Sequence, residues 1–271
     1  HGHICLYSAW GEGQTRVVGG VIWEVARQCA LNGYGHATGG NADFEIEGMK
    51  KTLDEMAEEA GTEVLYYTQF ADSVVEDGRV TEVLIQSKSG RRRIKANRFV
   101  DCTGDGDVAA SAGCGFDYGD PDNGECQPMT LMFTIGGVDW PRVAEWKTDY
   151  KMTHVWKAAQ EAGDMRPFQD QIMGFWHTPS RPDQVGINFT HINGVDARSA
   201  EDLTYATIEG RKQAYESIEV FRKYVPGMEN CYMVSTPNTV GTRESRRIHG
   251  EHTLTRDEVV ARTEFEDSVG Y

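Results

Sequence analysis

The chain has 271 residues, of which 39% are hydrophobic and 25% charged, enough for a globular protein with two cores. Its formal net charge of −15 repels nucleic acid and anionic membrane, so Arg91-Arg92-Arg93 reads as a solvated strand end rather than a binding patch. No apolar run approaches the roughly 18 to 20 residues of a membrane span and no signal peptide is visible; six cysteines without metal-ligand spacing read as free thiols of a reducing cytoplasm.

Taken in order, Ile4 to Ala9 reads as a strand. Trp10-Gly11-Glu12-Gly13-Gln14-Thr15-Arg16 then imitates a dinucleotide fingerprint, but its third glycine would fall at Arg16, and it is rejected as a pyrophosphate loop. Val18, Val21, Ile22, Val25 and Cys29 recur at helical spacing, and with a stop at Asn32-Gly33 residues 20–31 read as an amphipathic helix. Gly33 to Asn41 reads as a glycine-rich loop. A second helix follows, with Ile46, Met49, Leu53, Met56 and Ala60 on one face and Gly61 at its end. Glu63 to Thr68 is expected to be a strand. Phe70–Val75, Val80–Ser87 and Arg91–Lys95 are expected to form an antiparallel meander that turns at Asp77-Gly78 and Ser89-Gly90. A plain nicotinamide-binding fold joins parallel strands by helices, so the meander speaks against one.

Phe99 to Cys102 is apolar enough for a buried strand. It enters the glycine turn Thr103-Gly104-Asp105-Gly106 and a short helix from Val108, with Asp107 as its cap. Strand, glycine turn and helix start bring backbone N–H groups up to a phosphate or cofactor edge. Phe116 to Cys126 is polar and turn-rich, and Gln127 to Ile135 reads as a strand. Asp139 and Pro141 open a helix, and residues 151–163 continue helical. Ile172–His177 and Gln184–Thr190 read as a strand pair. Ser199 with Asp202 opens a long helix to about Tyr224, with Leu203, Ala206, Gly210, Ala214, Ile218 and Phe221 on one side; Cys231–Ser235 is a strand, and Thr255 with Glu258 opens a last helix. The tryptophans, Trp156 and Trp176 among them, follow no stripe and read as core or lid residues.

Gly241 to His252 gathers Arg243, Arg246, Arg247, His249 and His252. Arginines so placed can hold a carboxylate or phosphate bidentately while a histidine moves a proton. A surface segment paired with Glu244 and Glu251 is the other reading, and both stay open. The His249–His252 spacing is i, i+3 and does not fit the zinc motif H-E-x-x-H, so no metal is expected.

Two blocks carry a family resemblance. Val100 to Ala110, followed by Gln127-Pro128-Met129-Thr130-Leu131-Met132-Phe133 and Gly136-Gly137-Val138-Asp139, resembles the FAD-dependent oxidoreductases of the glutathione-reductase-like clan. Gly241 to Ile248 with Thr253-Leu254-Thr255 resembles a second block of that family. The resemblance implies an α/β fold: a partial FAD-binding Rossmann-like domain with an antiparallel β-meander, plus an inserted α+β substrate domain. Residues 1–45 would be a cap segment, 46–115 part of the FAD domain, 116–240 the substrate or cap domain, and 241–271 the return to the FAD domain. It further implies that Cys102, Thr103, Gly104 and Asp105 run beside FAD, with Cys102 where Ala is usual, and that Phe70 and Ala71 meet the adenine. Arg243, Arg246 and His249 would serve catalysis on a small, anionic organic substrate.

The family's G-x-G-x-x-G strand and its C-terminal glycine-rich segment do not occur in these 271 residues. Together with a first residue other than methionine, this makes an internal fragment the expectation, and weak FAD binding with it. The alternative is a truncated or degenerate flavoprotein acting as a non-catalytic binding or scaffold domain.

Overall fold

The computed structural model describes residues 3–5, 20–38, 41–147, 149 and 151–266. It is a mixed α/β chain with seven helices and twelve strands among the described residues, in four antiparallel sheets. The rejected fingerprint Trp10–Arg16 lies outside those residues.

Near the N-terminus, β1 (His3–Cys5), β2 (Gly35–Thr38) and β3 (Asn41–Phe44) form a sheet ordered β1-β3-β2, flanked by α1 (Val21–Leu31) and α2 (Ile46–Glu59). The expected loop Gly33–Asn41 is therefore corrected: β2 pairs residue by residue with β3 from Gly35↔Phe44 to Thr38↔Asn41. The buried side of α2 is also rotated from the predicted one. Leu53 is 47% exposed, whereas Met49, Thr52 and Gly48 are buried. Gly48 sets that rotation, since a Cβ there would sit 2.2 Å from the Tyr34 ring.

The meander forms as read, from β4 (Thr68–Glu76), β5 (Arg79–Ser87) and β6 (Gly90–Lys95) in the order β4-β5-β6. Asp77 and Gly78 both have positive φ, 49° and 74°, the backbone that a two-residue hairpin needs. Two apolar stretches beside it are corrected. Glu63–Tyr67 and Phe99–Cys102 are not strands; Tyr67 is 90% exposed and Val100 86%. A strand needs a hydrogen-bonded neighbour, and neither stretch has one among the described residues.

Beyond α3 (Asp107–Ser111), the segment read as purely turn-rich starts with a strand, β7 (Phe116–Tyr118). The largest core lies on the sheet of β8 (Phe133–Gly136), β9 (Gly174–Thr178), β10 (Arg181–Asn188) and β11 (Tyr232–Ser235), ordered β11-β8-β10-β9. Against it pack α4 (Trp140–Trp146), α5 (Thr153–Glu161) and the long α6 (Ala200–Tyr224). Trp156 is fully buried, stacked on Phe189 at 4.0 Å between centroids and edge-on to Phe221 at 5.2 Å. Both expected helix caps are present: Asp139 accepts from the Arg142 N–H at 3.3 Å and Ser199 from the Asp202 N–H at 3.1 Å. The predicted strand from Gln127 is shorter than expected. Met129 and Thr130 make only isolated bridges, to Ile192 and Gly241, before β8 begins. The chain then returns through β12 (Arg246–Ile248), which pairs with β7, and ends in α7 (Arg256–Ala261), closed by the Thr255–Glu258 capping box.

Candidate functional site

The glycine turn is built from its own side chains. The Asp101 carboxylate accepts from the Thr103 N–H at 3.0 Å, the Thr103 hydroxyl at 2.7 Å and the Ala109 N–H at 3.0 Å. The Thr103 hydroxyl in turn accepts from the Asp107 N–H at 2.8 Å. Asp101 and Thr103 thus satisfy the free donors of α3 from outside the helix. The expected cap role of Asp107 is corrected: Asp107 is the first helical residue, and Gly106, with φ 64°, occupies the cap position. Burial works against the charged form of Asp101, and the hydrogen bonds from Ala109, Thr103 and Val108 outweigh it, so its pKa lies below the ordinary carboxylate range.

Two glycines shape the turn for different reasons. Gly106 is left-handed and has Ile248 2.9 Å from where a Cβ would stand, so both backbone and space demand glycine there. Gly104, with φ 85°, has nothing within 4 Å of that position and leaves the turn open on one side. The N–H groups of Gly104 and Asp105 find no acceptor among the described residues. Cys102 is exposed beside them.

Segment 241–248 closes on this turn from behind. Ser245, itself buried, donates its hydroxyl to the Asp105 carboxylate at 2.5 Å. Arg246 Nη1 donates to the Asp105 carbonyl at 3.0 Å and to the Asp107 carboxylate at 2.7 Å, with its guanidinium 5.4 Å from the Phe116 ring. Its Nε is buried with no acceptor among the described residues. The intervening block joins in as well: Thr130 and Gly241 exchange backbone hydrogen bonds of 3.1 and 2.8 Å, and Glu244 accepts from the Gln127 N–H at 2.9 Å. Residues 101–107, 127–130 and 241–248 thus form one latch, although about 140 positions separate its ends.

The remaining predicted residues lie around it. Arg243 Nε donates to Gln127 Oε1 at 2.6 Å, and its two terminal nitrogens have no acceptor among the described residues. Arg247 is committed to Glu244 and to the Gly119 carbonyl. His249 sits at the exposed end of β12, its N–H on the Gly115 carbonyl and its Nε2 3.1 Å from Asp117. Phe70 and Ala71 lie on β4, an edge strand, at a register shift between Phe70 and Asp72. The next two residues tie that edge to α3: Ser111 Oγ donates to Asp72 at 2.6 Å and accepts from the Ser73 N–H at 2.9 Å. The meander edge and the glycine turn are neighbours through these bonds.

Sequence reasoning missed Asp101, Ser245 and Gln127. The first had a local signal, since Asp-x-Thr before a glycine turn favours a side-chain turn onto its own backbone. Ser245 and Gln127 act across the fold and had none. Among the described residues no group of three His, Cys, Asp or Glu side chains could hold a metal ion, and no helix is long and apolar enough to cross a membrane.

The glycine turn, beside the meander edge, presents the backbone donors of Gly104 and Asp105 without an acceptor among the described residues, and such donors can take oxygen-rich ligand atoms. The model of the FAD dependent oxidoreductase family matches residues 3–271, and the chain belongs to that family. No curated protein matches it. The family makes the protein an enzyme of flavin-linked redox chemistry with FAD as its cofactor. The residues fit that group: the turn offers N–H donors to oxygen-rich ligand atoms, and its glycine side is open.

Proposed function

We propose that this protein moves a hydride between a small, anionic organic substrate and FAD, with no nucleic acid or membrane as partner. The observation that carries the reading is the latch of Ser245 and Arg246 on Asp105 and Asp107, which joins the two family blocks into one surface. Bound FAD supplies the hydride acceptor or donor; the chain's residues do the rest. Cys102 to Asp105 present backbone to the cofactor, and Phe70 and Ala71 offer a strand edge to its adenine. Arg243, whose two terminal nitrogens have no acceptor among the described residues, orients the substrate's anionic group. Arg246 is a positioning residue, since both of its bonded oxygens belong to the turn. His249, whose Nε2 is held by Asp117, takes or returns the substrate proton at its other ring nitrogen, Nδ1.

A reducing cytoplasm belongs to the same proposal and is supported by the thiols, since Cys29, Cys102, Cys114, Cys126 and Cys231 are all unpaired. The experiment is anaerobic bleaching of the flavin absorbance by candidate 2-hydroxy acids and amino acids. Reduction by an anionic substrate that Arg243→Ala slows about a hundredfold, chiefly through KM, is the expected result. Unchanged reduction by that variant removes Arg243 from its role.

A further inference from the structure

The four-stranded sheet has two unlike faces. Phe133, Ile135, Phe175, Val185 and Ile187 pack into the main core with α5 and α6. Thr134, Trp176 and Gln184 line a cavity of about 440 Å³ instead, whose far wall is the end of β3 and the start of α2. Nothing in the latch touches this cavity, but its rim at Thr236–Asn238 leads within a few residues to Gly241 and Arg243.

Trp176 is laid along the sheet. Gly186 faces it in register on β10, and Gly174 stands two residues before it on β9. A Cβ on Gly186 would come 2.1 Å from Trp176 Nε1, and one on Gly174 would come 2.6 Å from its Cζ3. The indole therefore spreads over two positions that carry no side chain, and only glycine permits this at either. A ring held flat in this way is a stacking platform rather than a core plug.

The charges around the cavity are matched within the protein. Lys50 pairs with Glu47 at 2.7 Å, while Glu45 accepts from Ser180 at 2.6 Å and pairs with Arg181 at 3.4 Å. A cationic guest would need an unmatched carboxylate and an anionic one an unmatched cation. Among the described residues, the hydrogen-bonding groups left for a guest are neutral, with Thr134, Gln184, Ser235 and Asn238 among them. The cavity has the size of small-molecule sites, about 300 to 1,000 Å³.

We propose that this cavity binds a neutral hydroxylated six-membered ring, a pyranoside, with its C–H face on Trp176 and its hydroxyls on Thr134, Gln184 and Ser235. Binding stands on the cavity alone and is separate from the site of the small anionic substrate proposed above.

Isothermal titration of the purified protein with methyl β-D-glucopyranoside, methyl α-D-mannopyranoside and methyl β-D-galactopyranoside tests it, with 4-hydroxybenzoate and tetramethylammonium as the aromatic and cationic competitors. At least one pyranoside should bind. Trp176→Ala should weaken it about tenfold or more, and Trp176→Phe, which keeps a platform, no more than about threefold. Gln184→Ala, which leaves the platform untouched, should weaken it about threefold. Failure of all three pyranosides at millimolar concentration overturns the proposal, as does binding indifferent to both Trp176→Ala and Gln184→Ala, or binding of only 4-hydroxybenzoate or tetramethylammonium. FAD titration of the same sample separates the two readings, because intact FAD binding without pyranoside binding removes the cavity inference alone.

Discussion

Asp101 and Arg246 work on the same turn from opposite sides, one from the chain just before it and one from far along the sequence. Asp101 replaces a conventional cap with a carboxylate reaching eight residues ahead, to the Ala109 N–H. Asp101→Ala should cost about 1–2 kcal/mol, the usual price of a lost helix cap, read as a lowered unfolding midpoint in urea. Its contribution depends on pH in a definite direction. Asp101 has a folded pKa below the ordinary carboxylate value, as has Asp196, which the Arg198 guanidinium holds down against burial. Groups depressed on folding add stability that is whole above the unfolded pKa, about 4, and is lost as pH falls through the folded value. The gap in Tm between wild type and Asp101→Asn should therefore be constant from pH 8 to 5 and narrow below about pH 4. A gap that widens on acidification would falsify this assignment. The thiols separate by the same physics: burial pushes Cys231 up to about 11, while Cys102 and Cys114 are exposed. A chromogenic disulfide reagent at pH 7.5 should label Cys102 and Cys114 quickly and Cys231 only after denaturant is added.

At the scale of elements, α6 carries a glycine whose role is packing. Gly210 lies on the buried side of the helix, and a Cβ there would stand 2.7 Å from Leu131 Cβ, in a side chain that is fully buried. Alanine gains up to about 1 kcal/mol of helix propensity over glycine, but overpacking a site that cannot give costs about 1–3 kcal/mol. Gly210→Ala should therefore lower Tm, and a rise would show that Leu131 can move. The same helix was the most legible element in the sequence, because Leu203, Ala206, Gly210, Ala214, Ile218 and Phe221 repeat at helical spacing, and all but the half-buried Leu203 are buried. The meander was legible for the same kind of reason, since Asp77-Gly78 supplies two left-handed residues in a row. Phe99–Cys102 misled because apolar composition reports a tendency to pair, not a partner to pair with. Gly35–Thr38 was read as loop because its glycine and histidine hide a strand that exists only through its pairing with β3. The candidate site was half legible: its glycine turn and arginine segment stood out as motifs, while Asp101 and Gln127 looked like ordinary polar residues.

For the whole molecule, the account joins a family membership over residues 3–271 to one specific contact set. The three latch segments converge through polar bonds rather than through the main core, which lies on the β8–β11 sheet. Cofactor affinity and global stability should therefore respond to different mutations. That Arg246 braces the turn proposed to contact FAD is tested most directly by titration of FAD against the protein, followed by flavin fluorescence. One FAD should bind with weak, titratable affinity, and Arg246→Ala, which frees the Asp105 carbonyl and Asp107 together, should weaken it about tenfold or more while the far-UV circular dichroism stays unchanged. Equal FAD affinity in the two proteins, or no FAD binding by the wild type, would contradict it.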